Sequence, residues 1–253
     1  MKHLFIPDAQ VRDGVPLAHI EAAGKLIVER KPQVIVVIGD WWDFPSLSTH
    51  TPAQRIAYNQ LSYLKDLQAG IKAMELLLKP LEELQERQRT SKKKVYKPVL
   101  VFCCGNHEYR ADRLIEQQPI LEGLLPRAED YLMDKGFVVV PYKQRIVLNG
   151  VTYSHLCPQS RSSGAVERAA LIASKRASSW SVGHSQTLDY YVSLHTPRIQ
   201  CLIAGAFYLH DEGYKDGSND HWRGLVYKRN VKDGSYDPEF ISVDQLLERY
   251  GKV

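Results

Sequence analysis

The chain has 253 residues, of which 44% are hydrophobic and 25% charged, as is ordinary for a soluble globular protein. Its formal net charge of +4 weakly favours anionic partners and is far below the basicity of a dedicated DNA-binding module. No apolar run approaches the roughly 20 residues of a membrane span, and the first predicted strand begins too early to leave room for a signal peptide.

Four cysteines, at positions 103, 104, 157 and 201, form no CxxC pair. The adjacent Cys103 and Cys104 point to opposite faces of a strand, so they cannot bind one metal ion together. We predict that all four are small buried hydrophobic residues. The sequence therefore indicates a reduced, intracellular protein with a cytoplasmic location.

The first elements in chain order are two strands with a helix between them. Residues 4–6 form a strand that leads into Asp8, and a helix runs from Pro16 to about residue 30. Residues 34–38 are a β-branched run typical of a strand buried on both faces of a sheet. Gly39 then permits a sharp turn and places Asp40 at the carboxyl edge of the sheet, where open α/β sheets bind ligands.

The next region is a loop at residues 44–52, followed by a long helix whose apolar periodicity begins at residue 61. We expect Pro80 to kink or break this helix before it continues through residue 84. Residues 87–97 are rich in lysine and arginine and connect to a strand at residues 99–104. This connector is either a solvated helix end or a contact with a phosphate backbone.

Shorter elements fill the second half of the chain. Helices are predicted at residues 108–117, 121–135 and 164–178, and the last carries Arg168, Lys175 and Arg176. Strands are predicted at residues 137–140, 145–148, 151–154, 180–183, 190–194 and 199–207. Asn149-Gly150 is a strong hairpin signal. Residues 208–253 are expected to pack over the edge of the sheet. The sequence contains no recognisable linker, so we predict a single domain over residues 1–253.

Seven side chains that could bind a metal ion each fall at a strand end or in the turn after it. They are Asp8, Gln10, Asp40, Asn106, His155, His184 and Gln186. Oxygen ligands and histidines that converge from separate strands suggest a metal site, with Asp40 at its centre.

The order and context of these residues resemble the calcineurin-like metallophosphoesterase superfamily, whose pattern is DxH, GDxxD, GNH(E/D), a lone His after a strand, and GHxH. This sequence has Asp8-Ala9-Gln10, Gly39-Asp40-Trp41-Trp42-Asp43, Gly105-Asn106-His107-Glu108, Ser154-His155 and Gly183-His184-Ser185-Gln186. The motifs lie within residues 1–187, and the stretches Trp222-Arg223-Gly224 and Asp233-Gly234 resemble the C-terminal part of phage-encoded members. GNHE together with GDxxD is a specific pair, although either motif alone is weak.

The resemblance implies a four-layer α-β-β-α sandwich of two mixed sheets and a centre with two divalent metal ions. Asp40 would bridge the two ions. The other ligands divide into a first set, Asp8, Gln10 and Gln186, and a second set, Asn106, His155 and His184. Two ions about 3.5–4 Å apart that share a carboxylate would hold a hydroxide and a phosphoryl group.

Two further residues have roles that follow from the same resemblance. His107 would stabilise the transition state or protonate the leaving group. Asp43 would orient a ligand or His107.

Gln10 and Gln186 depart from the family, which has histidine at both positions. An amide oxygen is a weak, neutral ligand, unlike the imidazole that suits Fe or Zn. Both changes affect the first ion, so we interpret that site as adjusted toward Mn²⁺ or Mg²⁺, or as filled only when substrate is present.

The sequence leaves alternatives open for the residues and for the function. Asp8 and Asp40 could instead cap helices, and His155 or His184 alone could be a core residue. The leading hypothesis is an enzyme that hydrolyses phosphodiester bonds in DNA or RNA. The alternatives are a nucleotide or phosphoprotein phosphatase, and a non-catalytic binding protein with a degenerate first metal site.

Overall fold

The computed structural model describes residues 1–48, 62–159, 165, 168–194, 196–211 and 221–251. These residues form an α/β fold with two mixed sheets. The strands are β1 (His3–Ile6), β2 (Val34–Val37), β3 (Val99–Cys103), β4 (Phe137–Val140), β5 (Ile146–Leu148), β6 (Val151–Tyr153), β7 (Ser179–Val182), β8 (Leu188–Val192), β9 (Gln200–Ala204), β10 (Gly224–Lys232) and β11 (Ser235–Ser242). The α-helices are α1 (Ala18–Arg30), α2 (Tyr63–Thr90), α3 (Tyr109–Gln117), α4 (Ala128–Asp134), α5 (Ala169–Arg176) and α6 (Val243–Tyr250).

The first sheet has the strand order β11-β10-β1-β2-β3-β4. Strands β1 to β4 are parallel, because helices connect them, and β10 pairs antiparallel with β1. The C-terminal segment therefore supplies two strands of the sheet itself, and α6 packs against α1. Within residues 208–253, positions 212–220, 252 and 253 lie outside the described residues.

The second sheet has the order β5-β6-β7-β9-β8, with β6, β7 and β9 parallel. Strands β5 and β6 form the predicted hairpin. Asn149 and Gly150 in its turn have φ angles of 52° and 82°, the left-handed values that this turn requires.

Apolar side chains divide the molecule into layers. Between the two sheets lie residues such as Phe5, Val36 and Val101 from the first sheet and Leu202 from the second. The outer face of the first sheet is covered by α1, α2, α4 and α6, and the outer face of the second by α5. This arrangement confirms the predicted α-β-β-α sandwich.

Two helices differ from the prediction: of the kink or break expected at Pro80 the break is excluded, and the helix at residues 121–135 is shorter than expected. Pro80 does not break α2, which continues to Thr90. Close packing on α1 accounts for this, since a Cβ at Gly24 would lie 3.0 Å from Pro80 Cγ and 2.6 Å from Leu77 O. The helix predicted at residues 121–135 is shortened to α4, because Gly123 and Pro126 interrupt it.

Other sequence predictions fall partly outside the described residues. These are residues 49–52 of the predicted loop, the start of the long helix at residue 61, and positions 160–164, 166 and 167 around the start of the predicted third helix. All four cysteines are free and buried, as predicted. Across the described ranges, no helix combines the length and apolar character needed to cross a membrane.

Lys228 is fully buried between the sheets. Its Nζ lies 2.5 Å from Ser181 Oγ and 3.3 Å from the hydroxyl of Tyr153. The rings of Phe5, Tyr153 and Tyr236 surround the amine at 4.9, 4.6 and 4.3 Å from their centroids. Burial lowers the pKa of Lys228 well below its usual value, and the polar groups in contact with the amine are hydroxyls that carry no charge.

We expect Lys228→Met to remove a pH dependence of stability. The unfolded chain binds this proton up to a pKa of about 10.4 and the folded chain releases it at lower pH, so the free energy of unfolding should rise by as much as about 1.4 kcal/mol per pH unit between the lowered pKa of the folded protein and about pH 10.4. The methionine variant should lose this slope and be about 1–4 kcal/mol more stable at neutral pH. Denaturant unfolding at several pH values measures both effects. Lys232→Met, at an exposed position of the same strand, should keep the slope, and a Lys228→Met protein with the full slope would contradict the assignment.

Candidate metal centre

The seven predicted ligands all follow strands whose carboxyl ends meet at one rim of the sandwich. Asp8 and Gln10 follow β1, Asp40 follows β2, and Asn106 follows β3. His155 follows β6, and His184 and Gln186 follow β7. The φ angles of Gln10, Asp40, His184 and Gln186 are positive, at 42°, 45°, 67° and 56°. Such conformations cost energy for residues other than glycine and concentrate at functional sites.

Four of these side chains converge closely. Asn106 Oδ1 lies 2.8 Å from His184 Nδ1 and 3.2 Å from His155 Nε2. Asp40 Oδ2 lies 3.4 Å from His155 Nε2. Ligand atoms of Asp40, His155 and His184 all lie within 4.8 Å of one another. Two nitrogens and two oxygens thus surround one point, as a divalent ion requires.

His155 is oriented by the strand beside it. Its Nδ1 lies 2.7 Å from the carbonyl oxygen of Ile38, so Nδ1 carries the proton and Nε2 faces Asp40 and Asn106. A metal-binding histidine is commonly fixed in this way by a backbone carbonyl. Burial lowers the pKa of His155, but the Asp40 carboxylate outweighs burial and raises it to about 10. The imidazole therefore lies in a strongly negative field that favours a cation at Nε2.

Asp40 is held by a carboxylate clamp from Glu108. Glu108 Oε2 accepts hydrogen bonds from Asp40 N at 2.9 Å and Gly105 N at 2.7 Å, and Oε1 accepts from Trp41 N at 2.9 Å and Trp42 N at 3.1 Å. Burial and the Asp40 charge raise the pKa of Glu108. All four groups in contact with its oxygens are N–H donors, however, and this geometry stabilises the ionised carboxylate. A Cβ at Gly105 would lie 2.1 Å from Asp40 Oδ1, which explains the glycine.

The two tryptophans after Asp40 pack in the interior of the protein. Both are fully buried, and their indole N–H groups each donate at 3.0 Å, from Trp41 to Gly70 O and from Trp42 to Leu67 O. They fix the turn against α2. Burial raises the pKa of the Asp40 carboxyl, but the interactions with His107 and His155 lower it by more, so it is held well below its usual range.

The predicted first set of ligands is buried beside this cluster. Asp8 is completely buried, and its carboxylate accepts from His184 N at 3.0 and 3.2 Å. Burial, with a contribution from Asp40, raises the pKa of Asp8 to about 7. Gln186 Oε1 accepts a hydrogen bond of 3.1 Å from Tyr208.

The residues fit the metal ions that the sequence resemblance implies. Gln10 Oε1 is buried and has no hydrogen-bond partner among the described residues, which is costly for an amide oxygen unless a ligand fills the gap. Two buried carboxylates, Asp8 and Asp40, also need a compensating cation. Carboxylate and amide oxygens suit Mn²⁺ or Mg²⁺, and the two histidines suit most transition metals.

His107 lies next to this cluster and is held by three neighbours. Its backbone N donates to Asp40 Oδ1 at 3.0 Å, and its Nδ1 lies 2.8 Å from Asp43 O and 3.3 Å from Asp43 Oδ1. Its Nε2 lies 3.0 Å from Arg110 Nη2. Burial lowers the pKa of His107, and Asp40 and Asp43 raise it by more. The guanidinium of Arg110 can only donate a hydrogen bond, so the contact between them requires that His107 Nε2 carries no proton.

Asp43 links this region to the loop after β1. Its Oδ2 forms an ion pair of 2.8 Å with Arg12. Its Oδ1 lies 3.3 Å from His107 Nδ1, so the Asp43 side chain contacts His107. The capping alternative for Asp8 and Asp40 is excluded, since Leu17 precedes α1 and Phe44 precedes the short 3₁₀ helix Pro45–Leu47.

The sequence did not assign roles to three residues that shape the site. Glu108 belongs to the GNHE motif, so the sequence identified the residue. It did not reveal the hydrogen bonds that Glu108 accepts from the two turns. No role for Arg110 or Tyr208 could be inferred from the sequence, because their contacts with His107 and Gln186 depend on how the chain folds.

No protein-family model and no curated protein matches the sequence. Among solved structures, the chain is similar to the phosphoesterase Yfce from E. coli, with 15% identity, 96% of this chain and 100% of that chain covered, and a TM-score of 0.42. It is also similar to Vps29 complexed with Zn²⁺ from Entamoeba histolytica, with 10% identity, coverage of 96% and 99%, and a TM-score of 0.43. A predicted phosphoesterase from Streptococcus pneumoniae TIGR4 has 8% identity, coverage of 96% and 90%, and a TM-score of 0.37.

Proposed function

We propose that this protein is a metal-dependent phosphoesterase that hydrolyses phosphodiester bonds, with DNA or RNA as the substrate. The observation that carries the proposal is the convergence of Asp40, Asn106, His155 and His184 at one buried rim. Asp8, which accepts from His184 N, and Gln10, whose backbone N donates to Asp40 O, adjoin it and are the basis for a second ion. Manganese is the ion best suited to this mixed set of donors.

Bound divalent ions would supply a hydroxide nucleophile at neutral pH and would neutralise charge on the phosphoryl group. The chain's own residues fix where this takes place. Asp40 would be shared by both ligand sets, and the Glu108 clamp keeps it at its strained φ angle. The hydrogen bond to Ile38 directs His155 Nε2 to the same point. Asp43 orients His107 beside the reacting group.

A cavity next to the rim supports a substrate of nucleotide size. Its volume is about 460 Å³, and it is lined by Arg168, Ser185, Thr187, Leu188 and Asp189. Ser185 lies between two predicted ligands, so the cavity adjoins the metal centre. Pockets of roughly 300–1,000 Å³ accommodate small organic ligands, and Arg168 offers a contact for a second phosphate.

The basic connector gives no support to phosphate binding at this site. It leads into β3 at Val99, whereas Asn106 follows the other end of that strand. Lys175 and Arg176 likewise lie in the last turn of α5, just before β7, and His184 lies beyond the far end of β7. The connector therefore belongs to a surface away from the reacting phosphate.

A non-catalytic binding protein with one ion is the second candidate. The hydrogen bond from Tyr208 to Gln186 Oε1 favours it, because this oxygen already has a partner. So does the pair of bonds from His184 N to the Asp8 carboxylate. The complete burial of Asp8 beside Gln10 favours the two-ion enzyme, since a scaffold gains nothing from a buried unpaired carboxylate.

The test is Mn²⁺-dependent turnover of bis- and mono-p-nitrophenyl phosphate, together with labelled DNA and RNA. We expect activity to rise with Mn²⁺ at concentrations where the histidine-containing site is already full, and the diester to be preferred. Changing Gln10 and Gln186 together to histidine should move this activation to lower metal concentration, and each single change should do less.

Binding and structure then separate the candidates. A strong dependence of nucleic-acid binding on salt would indicate many phosphate contacts and favour DNA or RNA over a small phosphoester. A crystal soaked in Mn²⁺ that contains one ion, held by Asp40, Asn106, His155 and His184, with no turnover of any ester, would exclude the enzyme.

A further inference from the structure

Arg110 lies in the first turn of α3, directly after the Asn106-His107-Glu108 sequence. Its guanidinium is half-buried, and Nη1 donates to the carbonyl oxygens of Asp43 at 2.7 Å and Phe44 at 3.2 Å. Nη2 donates to His107 Nε2 at 3.0 Å. All three acceptors are neutral, so this cation is fixed in place at the metal centre without a counter-ion in contact.

The neighbouring carboxylates are engaged elsewhere. Glu108 accepts four backbone N–H groups, and Asp43 pairs with Arg12. Asp40 faces His155 and the backbone of His107. Within the described residues, Arg110 forms no ion pair, and its Nε–H has no acceptor.

This placement of a cation is unfavourable in two respects. A charge taken out of water without a paired partner costs several kcal/mol. The first turn of a helix also carries the positive end of the helix dipole, which disfavours arginine. An anion that binds at the site would remove both penalties at once.

We propose that Arg110 binds a non-bridging phosphate oxygen of the substrate, exchanging its contact with His107 for the phosphate. This inference rests on the proposed function, since the phosphate is that of the phosphoester. The guanidinium edge formed by Nε and Nη2 matches the paired oxygens of a phosphate. The two bonds from Nη1 to backbone carbonyls keep the group in position during the exchange.

The exchange also has a consequence for His107. In the structure its Nε2 is occupied by Arg110 and lies 3.8 Å from Asp40 Oδ2. When Nη2 turns to the phosphate, Nε2 becomes available to the same phosphoryl group. Binding of the substrate therefore frees His107 from its contact with Arg110. An ester without charged oxygens would not cause this change.

The experiment measures binding of inorganic phosphate to the Mn²⁺-loaded protein by calorimetry, together with metal content. Arg110→Gln should keep its metal and weaken phosphate binding about 10- to 100-fold, the value of a charge-assisted hydrogen bond or two. Arg110→Lys should recover only part of the affinity, because an ammonium keeps the charge and lacks the fork. Arg113→Gln on the same helix is the matched control, since Arg113 forms no hydrogen bond or ion pair with any described residue, and it should bind phosphate as the unaltered protein does.

The outcomes separate this inference from the proposed function. Phosphate affinity within about twofold of the unaltered protein in Arg110→Gln, with metal retained, would overturn the inference even if esters are hydrolysed. Absence of phosphate binding to the unaltered Mn²⁺-loaded protein would overturn it as well. If Arg110→Gln does not fold, Arg110→Lys decides: weakening of at least about fivefold supports the inference, and a smaller change overturns it. Arg110-dependent phosphate binding without turnover of any ester would leave the inference standing and reject the proposed function.

Discussion

Replacing Asp40 with alanine should remove most bound metal and lower phosphoesterase activity by at least about 1,000-fold, equivalent to about 4 kcal/mol of transition-state stabilisation. The physical reason is that Asp40 Oδ2 faces the His155 and Asn106 cluster while the buried Asp8 and Gln10 lie beside it. If this carboxylate is shared by both ligand sets, as the sequence resemblance implies, neither set alone can replace it. Metal analysis of the purified variant and turnover with added Mn²⁺ measure the two effects.

Asp40→Asn separates charge from shape in this prediction. The amide keeps an oxygen near His155 and removes the negative charge, so metal content should fall while the fold is retained. Asp134→Ala, at an exposed position on α4, is the matched control and should behave as the unaltered protein. Undiminished metal in Asp40→Ala would remove Asp40 from the centre of the site.

The first sheet shows how far local sequence determines this fold. Strands β1, β2 and β3 are short apolar runs that end in glycine, aspartate or asparagine, and both the runs and the turns were recognisable. Their parallel order puts Asp8, Asp40 and Asn106 at one edge, which is why the rim could be predicted. The pairing of β10 with β1 joins residues more than 200 positions apart, and no local pattern encodes it.

Helix α2 shows where local rules fail. A proline in a helix interior costs about 3 kcal/mol, and this cost predicted a kink or break at Pro80. The packing of α1 at Gly24 against Leu77 and Pro80 stabilises the continuous helix. Tertiary contacts of this kind override propensity and cannot be seen in the sequence alone.

The same distinction applies to the site. The order of seven candidate ligands was available from motifs, because each ligand follows its own strand. The contacts that orient them were not available, since Ile38 O to His155, Arg110 to His107, and Tyr208 to Gln186 are set by side-chain packing. The motifs therefore predicted which residues form the site. The structure was needed to identify the contacts that orient their side chains.

Glu108 is the strongest example of a supporting contact of this kind. Each of its oxygens accepts two backbone N–H groups, and the four donors belong to the two turns that carry Asp40 and Asn106. The side chain thereby ties the turn after β2 to the turn after β3. Losing it would leave four buried donors without partners, and each such loss costs about 1–3 kcal/mol.

We expect Glu108→Gln to destabilise the metal-free protein by about 2–4 kcal/mol and to weaken metal binding. In either orientation of the amide, the NH₂ group faces two backbone N–H donors, because Oε1 and Oε2 each accept two. Repulsion would push apart the turns that position Asp40 and Asn106. Denaturant unfolding in the presence of a chelator measures the structural cost without any contribution from the ion.

Glu116→Gln supplies the matched control for this prediction. Glu116 lies on the same helix, and its carboxylate contacts only the exposed hydroxyl of Tyr109 within the described residues. Exposed contacts of this kind contribute about 0–1 kcal/mol, so this variant should unfold almost as the unaltered protein does. Equal stability of Glu108→Gln and Glu116→Gln without metal would show that the clamp is dispensable. The strained φ angle of Asp40 would then be maintained by the other anchors of that turn, which are the backbone bonds from Gln10 N to Asp40 O and from Val11 N to Trp41 O and the indole bonds of Trp41 and Trp42 to α2.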